Sequence, residues 1–132
     1  MIYLDTSALV KLVREEAESE SLAAWLDERA EIPWITSALT EVELTRAIRS
    51  VAPEGLAAIP AVLSRLDRFE IDTVVRATAG AYPQSNLRSL DAIHLATAQI
   101  ASTASPLTAF VVYDHRLAQA AHDLGIPIAG PD

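Results

Sequence analysis

Three aspartates sit where their carboxylates could do chemistry. Asp5 directly follows the apolar run MIYL, and Asp114 directly follows AFVVY. Asp91 lies in NLRSLDAIHLATAQ, among Leu87, Leu90, Ile93 and Leu95. At roughly 100° per residue, Leu87, His94, Leu95 and Ala98 bracket it on one helix face. A carboxylate on an apolar stripe has to be paired, bound or protonated, because burying an unpaired charge is costly. The stretch SALTEVELTRAI adds Glu41 and Glu43. Glu43 shares a face with Leu39 and Ala47, whereas Glu41 lies at the edge of the apolar arc near Ile48. Periodicity leans toward Glu43 as the inward acid without excluding Glu41.

Each acid taken singly also has a structural explanation. Asp5 and Asp114 stand at strand-to-helix junctions, where Asp is a good N-cap. Asp91 falls in a first helical turn, which the helix dipole favours, with Ser89 as a candidate cap. Together they raise a different problem. Two like charges about 4 Å apart repel by roughly 4 kcal/mol at an effective dielectric of about 20. Converging carboxylates therefore need a cation. The chain has no cysteine, and its histidines do not form a ligand cluster. Mg²⁺ or Mn²⁺ suits such a site better than Zn²⁺, and all-carboxylate sites of this kind commonly run phosphodiester or phosphoryl chemistry.

The elements around these acids predict how they meet. MIYL is too short for a helix and reads as a buried strand, and Asp-Thr-Ser then opens a helix. A helix is expected over about 18–30, a strand at IPWIT, and a helix capped by Ser37 and broken at Pro53-Glu54-Gly55. A further helix over about 56–67, a short strand at RFEID and a helix over 73–81 follow. After a loop at 82–86, the helix carrying Asp91 runs to about 103. TAFVVY is a strand, HRLAQAAHDLG is a helix stopped by Gly125, and IPIAG is a last short strand. This alternation predicts one α/β domain over residues 1–132, a three-layer α/β/α fold with a mostly parallel central sheet. Right-handed crossovers bring the strand C-termini to one edge, where open α/β sheets bind their ligands.

The chain has 132 residues, 51% apolar and 21% charged, which fits a single globular core. The absence of cysteine rules out disulfides and thiolate metal sites and favours a reducing compartment. The N-terminus lacks the basic region of a signal peptide. No apolar run approaches the roughly 18 residues of a membrane span, so a cytoplasmic protein is expected. A net charge of −8 argues against holding nucleic acid by bulk charge. It leaves open an acidic pocket whose cations carry a polyanion's phosphates. Among the arginines, Arg14, Arg46, Arg49, Arg88 and Arg116 are candidates for phosphate contact. Arg46 and Arg88 stand out because each lies within about a turn of a site acid. His94 is expected to bond within the domain, and Trp25 and Trp34 to serve the core or a dimer face.

The segments MIYLDTSALVKL, SALTEVELTRAI, LRSLDAIHLATA and FVVYDHRLAQAAHDLGI resemble, in order and spacing, the four acidic motifs of the PIN domain. The arrangement resembles that of the VapC-type toxins of bacterial and archaeal toxin–antitoxin pairs, and the resemblance covers nearly the whole chain. It implies a PIN-like fold with Asp5, Glu43, Asp91 and Asp114 as catalytic and metal-binding acids. It selects Glu43 over Glu41, since the family's glutamate precedes a Leu and lies three residues before a frequent Arg, here Arg46. It implies a Mg²⁺- or Mn²⁺-dependent endoribonuclease, usually a homodimer with an RNA groove across it. A cognate antitoxin would occupy the site with its C-terminal segment, where an arginine could stand in for the metal's charge. Thr6 and Ser7 are expected to cap the first helix and orient Asp5, and Arg46, Arg88 and Arg116 to contact RNA. One departure is Val112, where the family often has Thr or Ser, so that a polar role would pass to Thr6, Ser7 or His115. Haloacid-dehalogenase-like and receiver-like readings fail for want of a second Asp near the first strand and of a downstream Lys. A non-catalytic PIN-like RNA-binding scaffold is the remaining alternative.

Overall fold

Three short strands, buried on both faces, organise the molecule. In the computed structural model, which describes all 132 residues, β1 (Ile2–Leu4), β2 (Trp34–Ser37), β3 (Leu66–Phe69), β4 (Ala109–Val111) and β5 (Ile128–Ala129) form one sheet. Its order is β3-β2-β1-β4-β5, and every neighbouring pair is parallel. Seven helices connect the strands: α1 (Thr6–Val13), α2 (Ser19–Asp27), α3 (Leu39–Val51), α4 (Ile59–Leu63), α5 (Thr73–Ala81), α6 (Ser89–Ser102) and α7 (His115–Asp123). Because successive side chains point to opposite faces of a strand, Ile2, Leu4, Trp34, Ala109 and Val111 pack with Leu9, Leu22, Leu44 and Ile59 of α1 to α4. Tyr3, Ile35, Phe110 and Val112 pack on the other face with Leu95 and Ala98 of α6 and Leu117 and Ala121 of α7. α5 lies against α6. The result is the three-layer α/β/α arrangement, with a sheet that is parallel throughout.

Three local expectations change. The helix expected over 56–67 divides into a 3-10 turn (Pro53–Ala58) and α4, and β3 begins at Leu66, ahead of RFEID. Pro60, at the start of α4, is tolerated there because its missing N–H would be unpaired anyway. Leu66 is buried opposite Trp34, whereas Asp67, Arg68 and Phe69 are exposed. That pattern suits an edge strand carrying charge. Ser37 is not the cap of α3. Ala38 takes that position, although Ser37 Oγ still accepts from the Leu39 N–H at 3.1 Å. Ser89 is the first residue of α6, and its cap position is Arg88, which makes no side-chain capping bond. Gly125 terminates α7 as expected, with φ of 76°.

The register matters most for function. β1 is the central strand and β4 lies beside it, with Leu4 opposite Val111. The Asp5 N–H donates to the Val111 carbonyl at 3.1 Å. Asp5 and Asp114 therefore leave the sheet from neighbouring strands at one edge. No helix is long and apolar enough to cross a membrane.

The two central strands are held in part by Phe110, which is fully buried and stacks on Tyr3 with ring centroids 4.8 Å apart. Phe110→Ala is expected to lower the unfolding free energy by about 3–5 kcal/mol. Urea denaturation checks this, and a loss below about 1 kcal/mol would show that the stack does not organise the core.

Candidate active site

Asp5 and Asp114 serve their helices and the site at once. Asp5 is the N-cap of α1, and its Oδ2 accepts from the Ser7 N–H at 3.1 Å and from the Ser7 hydroxyl at 2.6 Å. Its Oδ1 lies 3.7 Å from His94 Nε2. Asp114 is the N-cap of α7, and its Oδ1 accepts from the Leu117 N–H at 3.0 Å. Its Oδ2 faces Arg88 Nη2 at 3.7 Å. Capping and site-building are not alternatives here, since a carboxylate has two oxygens and each of these acids spends one on its helix.

Ser7 has a further task. Its hydroxyl accepts from the Tyr113 N–H at 3.0 Å while donating to Asp5. It thus ties the end of the β4 segment to Asp5, so the polar role left open by the buried Val112 falls to Ser7. The expectation that Thr6 and Ser7 cap the first helix is corrected, although Ser7 does orient Asp5. Asp5 itself is the cap of α1, which makes Thr6 the first helical residue, and its hydroxyl donates to Glu43 Oε1 at 2.8 Å.

Glu43, one turn into α3, is the inward acid. Glu41 is exposed and pairs with Arg68 at 3.5 Å. Glu43 Oε1 also meets His94 Nε2 at 2.6 Å. Burial by itself would raise the Glu43 carboxyl, but the bond and charge of His94 and the Thr6 hydroxyl outweigh it and hold the group below the ordinary glutamate value. His94, on α6, is 1% exposed. Burial would depress its imidazole, yet the bond to Glu43 and the charges of Asp5, Glu43 and Asp91 hold it above its usual value. An ionised Glu43 can only accept, so Nε2 carries a hydrogen whether the ring is neutral or charged. On its far side, His94 Nδ1 meets the Tyr3 hydroxyl at 2.6 Å. Burial and the nearby Asp5 charge push the Tyr3 phenol well above its ordinary value, so it remains protonated. Tyr3, His94 and Glu43 therefore form a chain from the middle of β1 to the site. The sequence carried two signals for it: a phenol inside an apolar strand needs a partner, and His94 lies three residues from Asp91 on the same helix face.

Asp91 is less deeply placed than its apolar neighbours suggested. Its side chain is 20% exposed, and Leu90 points to solvent. Burial nevertheless raises its carboxyl, opposed by Arg88 and reinforced by the charges of Asp114 and Asp5. Arg88 bridges two acids, with Nε 3.4 Å from Asp91 Oδ2 and Nη2 3.7 Å from Asp114. It is a counter-ion to the site acids, which the sequence had marked only as an RNA contact. Arg46 and Arg116 are exposed and form no ion pair.

All four acids thus face one region at the C-terminal edge of the sheet, but a basic side chain divides each couple. His94 stands against Asp5 and Glu43, and Arg88 stands between Asp91 and Asp114. With the side chains so arranged, no three acidic or histidine groups are close enough to enclose a metal ion. The donor set nonetheless suits a hard divalent cation. It consists of carboxylates alone, and the like charges that raise Asp91 are those a cation would relieve.

This combination of fold and acids can be compared with known proteins. The PIN domain family model matches residues 2–123. The chain belongs to the PIN-domain family. Ribonuclease VapC35 of Mycobacterium tuberculosis is 67% identical over 131 residues, spanning 99% of this chain and 97% of that protein. The fold is shared with VapBC2 from Rickettsia felis bound to a promoter DNA fragment, with a TM-score of 0.70, 15% identity and 100% of both chains covered. It is also shared with VapC20 of Mycobacterium tuberculosis, a sarcin–ricin loop cleaving toxin, with a TM-score of 0.68, 16% identity and coverage of 91% and 95%. The likeness to Ribonuclease VapC35 favours a VapC-type PIN ribonuclease over a non-catalytic PIN scaffold.

The Tyr3–His94 bond can be tested without reference to activity. Tyr3→Phe keeps the ring stack and leaves a buried imidazole nitrogen unpartnered, so stability should fall by about 1–3 kcal/mol in chemical denaturation. An unchanged midpoint would mean that the phenol does not support His94.

Proposed function

We propose that this PIN protein is a divalent-metal-dependent endoribonuclease, the toxin of a toxin–antitoxin pair, in which Asp5, Glu43, Asp91 and Asp114 hold the metal and catalyse cleavage. The observation that carries this reading is the division of labour within the aspartates at the strand ends. Asp5 and Asp114 each have one oxygen anchored to a helix and the other left to face a side chain shared with a second acid, His94 for Asp5 and Arg88 for Asp114. Such anchoring limits the motion of the acids and preorganises them for a ligand. Residues 1–132 act as one PIN domain in this reading.

The all-carboxylate set suits Mg²⁺ or Mn²⁺. When bound, such an ion supplies Lewis-acid stabilisation of charge on the phosphate and makes water a better nucleophile. The chain's own residues do the positioning. Asp5 and Asp114 supply fixed oxygens, Asp91 brings a third from α6, and Glu43, kept ionised by His94 and Thr6, is suited to orient a water or accept its proton rather than to donate one. Ser7 and Thr6 hold Asp5 and Glu43 from the first turn of α1. Cleavage in this way leaves 5′-phosphate and 3′-hydroxyl ends.

The partners follow from the same reading. The Rickettsia structure is of a VapBC2 complex, which supports a cognate antitoxin for this chain. RNA is the proposed substrate, reached in the cytoplasm and held across a homodimer. Arg46 and Arg116, exposed and without acidic partners, are the proposed phosphate contacts. Arg88 contributes more by neutralising Asp91 and Asp114 than by binding RNA in the metal-free protein.

Replacing Asp5, Asp91 and Asp114 together by Asn is expected to abolish RNA cleavage in Mg²⁺ or Mn²⁺. Retention of parental activity would overturn the site assignment. Arg88→Ala removes a competing cation from two of the acids. Since the arginine is largely exposed, the gain is modest, about 3- to 10-fold tighter Mn²⁺ binding by calorimetry at low salt. Weaker binding would mean that Arg88 holds the acids in place rather than competing with the ion.

A further inference from the structure

Beside the acids lies a cavity of about 310 Å³, between the loop preceding α6 and one side of α7. Asp91 forms part of its wall, so the cavity opens directly from the site. Gln84, Asn86 and Leu87 line it from the loop, and Arg116 and Gln119 from α7. We propose, on the basis of the ribonuclease reading above, that this cavity is a subsite for one unstacked RNA base next to the scissile phosphate, and that it favours bases bearing an exocyclic amine over uracil.

The lining argues for a base rather than a phosphate. Asp91 and Asp123 both border the cavity, against one arginine, Arg116, and one histidine, His115. An anion would meet more negative than positive charge. A neutral, flat, hydrogen-bonding ligand meets no such penalty. Leu87 offers an apolar surface, and the amides of Gln84, Asn86 and Gln119 offer the side-chain groups that pair with base edges. Sequence-specific RNA readers commonly take single-stranded bases splayed from the stack in this way.

The preference for an amine follows from which groups are idle. Gln84 Oε1 is buried without a hydrogen-bond partner, and it is the sole buried side-chain nitrogen or oxygen in the chain in that condition. An unpaired buried acceptor is unfavourable. Its amide therefore loses little by turning toward an arriving donor. Gln119 Nε2 donates to Asp123 Oδ1 at 2.8 Å, which orients that amide and leaves its carbonyl oxygen available. The carboxylates of Asp91 and Asp123 add further acceptors to these two amide oxygens, beside the N–H donors of Arg116 and His115. Adenine, cytosine and guanine present an amino group to such acceptors. Uracil presents two carbonyl oxygens and a single N–H.

The test is 5′-end mapping of cleavage in an RNA pool randomised around one site, using the full chain with Mn²⁺. One position flanking the cut should disfavour uracil by roughly 5- to 150-fold. In Gln84→Ala and in Gln119→Leu, that ratio should fall toward one. Replacing adenine by purine, which lacks the amine, should slow the parent protein and have little further effect on the variants; this arm does not depend on any variant folding. A parent that cuts RNA with no bias against uracil overturns the subsite and leaves the ribonuclease reading intact. A bias that both variants retain also overturns it, and loss of antitoxin binding instead would assign the cavity to the protein partner. A parent that cuts no RNA with either ion overturns both readings.

Discussion

Four carboxylates at one edge of a sheet repel one another, and much of the surrounding structure is arranged to compensate. His94 stands against one couple from within the core, and Arg88 against the other from the surface. These two groups differ in kind. His94 is buried, bonded on both nitrogens and backed by a phenol in the central strand, so it belongs to the fold. Arg88 is largely exposed, and its pairs are of the sort that contribute little to stability and exchange readily with solvent and salt. The site thus has a counter-group fixed by the fold beside Asp5 and Glu43, and an exchangeable one beside Asp91 and Asp114.

The side at Asp5 and Glu43 is built by connections between layers. Glu43 comes from a helix on one face of the sheet, and His94 from a helix on the other. They meet only beyond the end of β1, where no strand separates the two layers. Thr6 and Ser7, neighbours in sequence, divide their hydroxyls between Glu43 and Asp5. Ser7 also holds the backbone at Tyr113, so the adjacent strand ends are joined by the same side chain that orients an acid. A substitution at a residue far from any substrate, such as Tyr3, can therefore reach the site through a short chain of buried hydrogen bonds.

The parallel topology explains why so small a domain can gather acids from distant parts of its sequence. Strand ends lie together at one edge because every crossover returns the chain in the same direction. Asp5 and Asp114, more than a hundred residues apart, become neighbours through the pairing of Leu4 with Val111. Helix capping sets the direction of each aspartate, so one residue type meets a folding requirement and a chemical one.

Much of this was legible in the residues themselves. Short apolar runs followed by helix-start signals announced the strands, the crossovers and the edge to which Asp5 and Asp114 belong, because local patterning reflects burial on each face of an element. The motif resemblance added Glu43 and Asp91 to that set. Helix periodicity leaned toward Glu43 over Glu41, and the exposed pairing of Glu41 with Arg68 agrees with it. What remained hidden depended on contacts across layers. Thr6 turning to Glu43 rather than Asp5, Ser7 supplying the polar contact that Val112 lacks, the Tyr3–His94–Glu43 chain, and Arg88 lying between two acids all join residues far apart in sequence. A side chain's own periodicity tells which face it takes, but its partner is chosen by the relative placement of elements, and only the packed tertiary structure decides that.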